Sequence, residues 1–101
     1  MTTPERSALL PEVPTIAEAG LPGFAADTWH GLVAPAGNPR DIVERLNAEV
    51  VAILAQPELR EGFAAIGAVP SGNSTAQFAA EIRSDIDKWG RLVRAAGITA
   101  E

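Results

Sequence analysis

His30 is the one histidine of this 101-residue chain, and with Asp27 and Trp29 beside it, it is the first place to look for acid–base or metal chemistry. Either chemistry needs two or three groups converging on one point. In an extended segment successive side chains alternate between faces, so Asp27 and His30, three positions apart, point opposite ways. His30 therefore reads as a packing or surface residue, without catalytic or metal-binding partners. The acidic pairs fare no better. Asp85 and Asp87 stand two apart on a helical pattern and share no face, while Glu58 and Glu61 lie in a first turn, where negative charge complements the helix dipole. Gly20-Leu21-Pro22-Gly23 lacks the preceding strand and following helix that a phosphate-cradling loop requires, so it reads as a turn. With no cysteine in the chain, disulfides and thiolate metal sites are excluded. No catalytic residue, metal or cofactor is expected.

Charge narrows the partners. A net charge of −5 and a pI near 4.8 oppose binding to a phosphate backbone, and the eight basic residues are dispersed along the chain. The longest apolar runs, such as Val50 to Ala55, are far shorter than the roughly 20 residues that span a bilayer. No charged and then apolar leader follows Met1, so no export signal is expected in the chain as it stands. Apolar residues make up 47% but aromatics only 5%. Much of the apolar content is alanine, which favours helices and buries little area per residue.

The elements that position these residues follow from periodicity and caps. Met1 to Ser7 has no periodicity and is expected to fray. Thr15 with Glu18 has capping-box spacing for a short helix ending at Gly20. Phe24, Trp29 and Val33 favour a strand over Phe24 to Val33, in which Gly31 marks a bend or a close approach. Asn38 is expected to cap a helix with Pro39 at its first position, running to about Ala55 with Ile42, Val43, Leu46, Val50, Ile53 and Leu54 as its apolar stripe. A second helix from Pro57 carries Leu59, Phe63 and Ile66 and ends at Gly67. A short extended piece, Ala68-Val69-Pro70, leads to the last helix, opened by Ser74 and Gln77 in capping-box spacing and closed at Gly97. Phe78, Ile82, Ile86, Trp89 and Val93 line one face of it, and Trp89 is expected in the core.

Four segments in this order resemble the periplasmic solute receptors of the tripartite tricarboxylate transporter type, the Bordetella-uptake or Bug family. They are Leu10-Pro11-Glu12-Val13-Pro14-Thr15-Ile16-Ala17-Glu18-Ala19-Gly20, Thr28-Trp29-His30-Gly31-Leu32-Val33-Ala34-Pro35-Ala36-Gly37, Leu46-Asn47-Ala48-Glu49 and Lys88-Trp89-Gly90. The resemblance is to the C-terminal third of such receptors, which are longer and made with a signal peptide. It implies an α/β fold: a helix-rich fragment of a two-lobed periplasmic-binding-protein fold of type II, with three main helices, one long strand and one short one. It further implies that residues 1–26 end the second lobe, 27–35 form the hinge or return strand, and 36–101 form the C-terminal helical part of the first lobe. On that reading Trp29 and Gly31 belong to the hinge, and Thr28 offers a hydroxyl to the ligand cleft. The family often carries another aromatic residue at the position of His30. The implied function is non-enzymatic: capture of a small carboxylate or similar metabolite in the periplasm and delivery to a membrane permease.

Two strands separated by two helices do not make an independently stable sheet. The pattern suggests that strands from elsewhere complete it, and the open edge of Phe24 to Val33 suggests a homodimer or small oligomer. The competing reading is a stand-alone, self-associating helical interaction module without ligand.

Overall fold

The computed structural model describes residues 1–100. Its elements are α1 (Ile16–Ala19), α2 (Arg40–Leu54), α3 (Pro57–Ala65) and α4 (Thr75–Ala95), and the chain divides into two units, Met1–Val33 and Ala34–Glu101.

The helix ends follow the local chemistry. Thr15 and Ser74 each accept from the amide three residues on, and Glu18 and Gln77 return the bond to the cap amide, so both capping boxes form. Pro57 stands in the first turn of α3, where its missing amide costs nothing. Beyond α3 the amides of Gly67 and Ala68 donate to Ala64 and Phe63, and beyond α4 those of Gly97 and Ile98 donate to Arg94 and Val93. Both are Schellman closures, and both need the left-handed glycine they have, at φ 73° for Gly67 and 66° for Gly97.

The start of α2 differs from expectation. Pro39 is itself the N-cap, at φ −55° and ψ 135°, and the helix begins at Arg40. Asn38 does not cap it; its Nδ2 donates to the Pro35 carbonyl at 3.1 Å and closes the preceding turn instead. A residue before proline is kept out of the helical region, and a short amide side chain there readily bonds its own loop. No side-chain bond caps α2, so the charge of Asp41 in its first turn is what complements the dipole.

The two strands are not present: Phe24 to Val33 and Ala68 to Pro70 carry no ladder, and no strand occurs among the described residues. A strand is a pairing, and high β propensity without a neighbour to exchange backbone bonds leaves a segment with no regular secondary structure. The resulting architecture is helix-rich.

The first residues are bonded into the unit. The Met1 ammonium donates to the Pro14 carbonyl at 2.9 Å, the Ile16 amide returns a bond to the Met1 carbonyl at 2.9 Å, and the Ala26 amide donates to the Thr2 carbonyl at 2.8 Å. The first two bonds straddle Thr15, which is the pattern of one rung of a parallel ladder. Thr15 is 2% exposed, and no apolar side chain among the described residues is buried.

In the second unit a polar latch joins α2 to the loop that enters α4. Asn47 Nδ2 donates to the Asn73 carbonyl at 3.0 Å, Asn73 Nδ2 donates to Glu81 Oε2 at 2.9 Å, and the Thr75 hydroxyl donates to Glu44 Oε1 at 2.7 Å. The apolar stripes remain largely open. On α2, Leu46 and Ile53 are exposed; on α4, Ile86 is exposed and Trp89 is 39% exposed, so Trp89 is not the core residue expected. The reason is arithmetic: three amphipathic helices present more apolar face than their mutual contacts can cover.

Candidate functional site

Thr28, Trp29 and Gly31 lie on the segment without regular secondary structure that closes the first unit, after the turn at Leu21 to Gly23. That turn is fixed by a bond from the Phe24 amide to the Leu21 carbonyl at 3.1 Å, with Gly23 at φ 78°. All three residues are exposed, Trp29 at 40%. They stand within two to five residues of the division between Val33 and Ala34.

None of the three lines either of two depressions formed by the described residues. One, about 260 Å³, is an apolar hollow along α3 between Leu59, Phe63 and Ile66. The other is a polar concavity of about 660 Å³ between Ser71, Gly72, Asn73 and the Gln77–Ser84 side of α4. His30 and Asp27 are both exposed. Among the described residues no three His, Cys, Asp or Glu side chains are grouped to hold a metal, and no helix is long and apolar enough to cross a membrane.

The best-organised polar centre is one that sequence reasoning found only in part. Glu18 accepts from Arg6 Nε at 2.8 Å and from the Thr15 amide at 2.9 Å, while Arg6 Nη1 also donates to the Pro11 carbonyl at 2.9 Å. The capping box was visible in the spacing of Thr15 and Glu18. Nothing in the spacing of Arg6 and Glu18, twelve residues apart, announced their pairing, because the contact depends on the loop Ser7 to Pro14 folding back. The hydrogen bond from Arg6 is the main cause that holds the Glu18 carboxyl below its ordinary value, with the Thr15 amide next. A carboxyl with a depressed folded value stabilises the fold above its unfolded value, and that contribution disappears as pH falls through the folded value. The loop Ser7 to Pro14 is therefore expected to loosen at acid pH, below the usual glutamate range. Exchange rates of the Thr15 and Glu18 amides followed from neutral to acid pH check this; an identical profile in Glu18→Gln would mean another group is responsible.

The family described as "Tripartite tricarboxylate transporter family receptor" matches residues 1–98. A UPF0065 protein from the tcbD-tcbE intergenic region of a Pseudomonas species is 44% identical over 94 residues, which are 92% of this chain and 28% of that protein. Among solved structures, an R. palustris protein with adipate superposes with a TM-score of 0.78 at 36% identity, covering 95% of this chain and 32% of that one. The periplasmic binding protein BugD superposes with a TM-score of 0.79 at 31% identity, covering 99% of this chain and 34% of that one. The likeness in sequence and in backbone is thus to solute-binding receptors and not to enzymes. The chain belongs to the tripartite tricarboxylate transporter receptor family. It spans about a third or less of the length of these relatives, 28% to 34%.

Proposed function

We propose that this chain serves as part of an extracytoplasmic receptor that binds a small carboxylate or similar metabolite and presents it to the membrane permease of a tripartite tricarboxylate-type transporter. The observation that carries the reading is the family match over residues 1–98, together with the adipate bound by a structural neighbour at 36% identity. Periplasmic location follows from the same reading.

Within it, residues 1–26 end the second lobe, 27–35 form the hinge or return segment, and 36–101 belong to the first lobe. The division of the chain between Val33 and Ala34 falls inside the proposed hinge and supports it. Trp29 and Gly31 act mechanically: a large ring beside a residue without a side chain lets the backbone swing in one sense and blocks it in the other. Thr28 contributes a hydroxyl to the cleft. An acidic chain without a cationic cluster is compatible with an anionic solute, because backbone amides, hydroxyls and ordered water hold carboxylates without salt bridges.

A cleft needs two walls. The chain alone is therefore expected to give no saturable heat with adipate, citrate or malate in calorimetry. A chimera in which it replaces its matched portion of the Pseudomonas relative is expected to bind a dicarboxylate below millimolar concentration, and Thr28→Val to weaken that binding about tenfold, the loss of one hydroxyl bond. A folded chimera that binds no carboxylate would sink the reading. The self-associating module without ligand remains the second reading, favoured by the lack of any buried apolar side chain among the described residues.

A further inference from the structure

The chain holds three asparagines, and the structure separates them by what can reach their side chains. An asparagine loses ammonia when the backbone nitrogen of the next residue attacks its side-chain carbonyl carbon and closes a five-membered imide. The reaction needs a next residue with an N–H to give up and a backbone free to bring the two groups together. Asn38 is followed by Pro39, which has no N–H. Asn47 lies inside α2, where the amide of Ala48 is held by the helix. Asn73 alone meets both conditions: it stands outside any helix, and Ser74 after it is small, carries an N–H and is extended at φ −77° and ψ 161°. Asn73 also lines the polar concavity of about 660 Å³, so the water that hydrolyses an imide has access to it.

Both reacting groups are nevertheless tied down. The Ser74 amide, which would attack, donates to Gln77 Oε1 at 2.9 Å. The Asn73 side-chain amide, which would leave, donates to Glu81 Oε2 at 2.9 Å. Gln77 and Glu81 stand four apart, so one face of α4 holds both. We propose that Asn73 is the deamidation site of this chain, that Gln77 and Glu81 set its rate by occupying the two reacting groups, and that its conversion opens the latch between α2 and α4. In the step itself a bond forms from the Ser74 nitrogen to Asn73 Cγ. The Ser74 amide proton passes through solvent to the departing side-chain nitrogen, which leaves as ammonia. Water then opens the imide at either carbonyl and gives aspartate or isoaspartate at position 73. Either product replaces the donor to Glu81 with a carboxylate, so a hydrogen bond becomes a contact between like charges. Isoaspartate also routes the main chain through Cβ and Cγ, and the carbonyl that accepts from Asn47 at 3.0 Å is then no longer a peptide carbonyl. Negative charge beside the start of α4 is favoured by the helix dipole, but a hydrogen bond to a charged group outweighs that effect.

The test incubates the full chain in warm, mildly alkaline buffer and follows each asparagine by peptide mass for the gain that replaces NH2 by OH. Asn73 is expected to convert well ahead of Asn38 and Asn47. Gln77→Ala and Glu81→Ala each release one reacting group, and each is expected to speed conversion about threefold to tenfold, the population shift that one net hydrogen bond supports. Gln77→Glu, which keeps an acceptor in the capping box, is expected to match the parent chain. Glu81→Ala leaves the cap untouched, so its rate decides the matter if Gln77→Ala loosens the helix start. Asn73→Asp, one of the products itself, is expected to quicken amide exchange at the start of α4 about tenfold while α2 stays helical. Conversion at Asn38 or Asn47 as fast as at Asn73, or a rate at Asn73 unchanged in both alanine variants, would overturn the proposal. So would exchange in Asn73→Asp equal to that of the parent chain.

Discussion

Trp89→Ala is expected to destabilise the chain by about 1–2 kcal/mol, well short of the roughly 3–5 kcal/mol that removal of a buried aromatic ring costs. The ring lies on the apolar stripe of α4, yet it is 39% exposed, and no apolar side chain among the described residues is buried around it. A cavity term arises only where neighbours fail to collapse onto the space left behind, and here solvent already reaches the ring. Lys88 Nζ stands 5.1 Å from the ring centre, a contact worth about 0.5 kcal/mol at so exposed a position. His30→Ala, on an exposed segment, is expected to change stability by less than about 0.5 kcal/mol. Denaturant midpoints of the two variants check both the order and the size. A loss above about 3 kcal/mol for Trp89→Ala would mean that the ring is covered in solution.

Asn47→Ala is expected to cost about 1 kcal/mol net, the balance of two opposed effects. Alanine is the better helix former by about 0.6 kcal/mol, which favours the variant at a position inside α2. Against this, the variant loses the bond from Nδ2 to the Asn73 carbonyl at 3.0 Å and leaves a half-buried acceptor without its donor, a loss of about 1–2 kcal/mol. The latch should win. Its loss frees the Ser71 to Asn73 loop, so exchange at the start of α4 should quicken while α2 itself stays helical. A stability equal to or above that of the parent chain would show that the bond contributes less than helix propensity and that the α2–α4 contact does not depend on it.

The helices were legible because their determinants are local. Thr15 with Glu18, and Ser74 with Gln77, form capping boxes that need only three residues of spacing, and Gly67 and Gly97 close their helices through bonds spanning a single turn. The start of α2 was misread by one residue, since Asn38 had two local partners to choose from and the proline after it favoured the loop. The four motif segments were enough to recognise the receptor family, because they lie in order along almost the whole chain and the family match covers residues 1–98.

The long-range features were not legible in this way. The strand expected over Phe24 to Val33 rests on β propensity, and propensity without a pairing partner does not make a strand. The apolar stripes of α2 and α4 follow a 3.6-residue period, but the period says which side chains seek cover and not whether cover exists; Leu46, Ile53, Ile86 and Trp89 are exposed. In the same way, residue types alone do not reveal that Met1 pairs across Thr15, that Arg6 reaches Glu18, or that Asn47 reaches Asn73. Sequence by itself determined the helices, the two capping boxes, the glycine closures of α3 and α4 and the family, all of which depend on neighbours within a few residues or on motif order. Tertiary structure alone decided the N-terminal anchor, the latch and the exposure of the stripes, because each depends on which distant backbone and side-chain groups are brought within bonding distance.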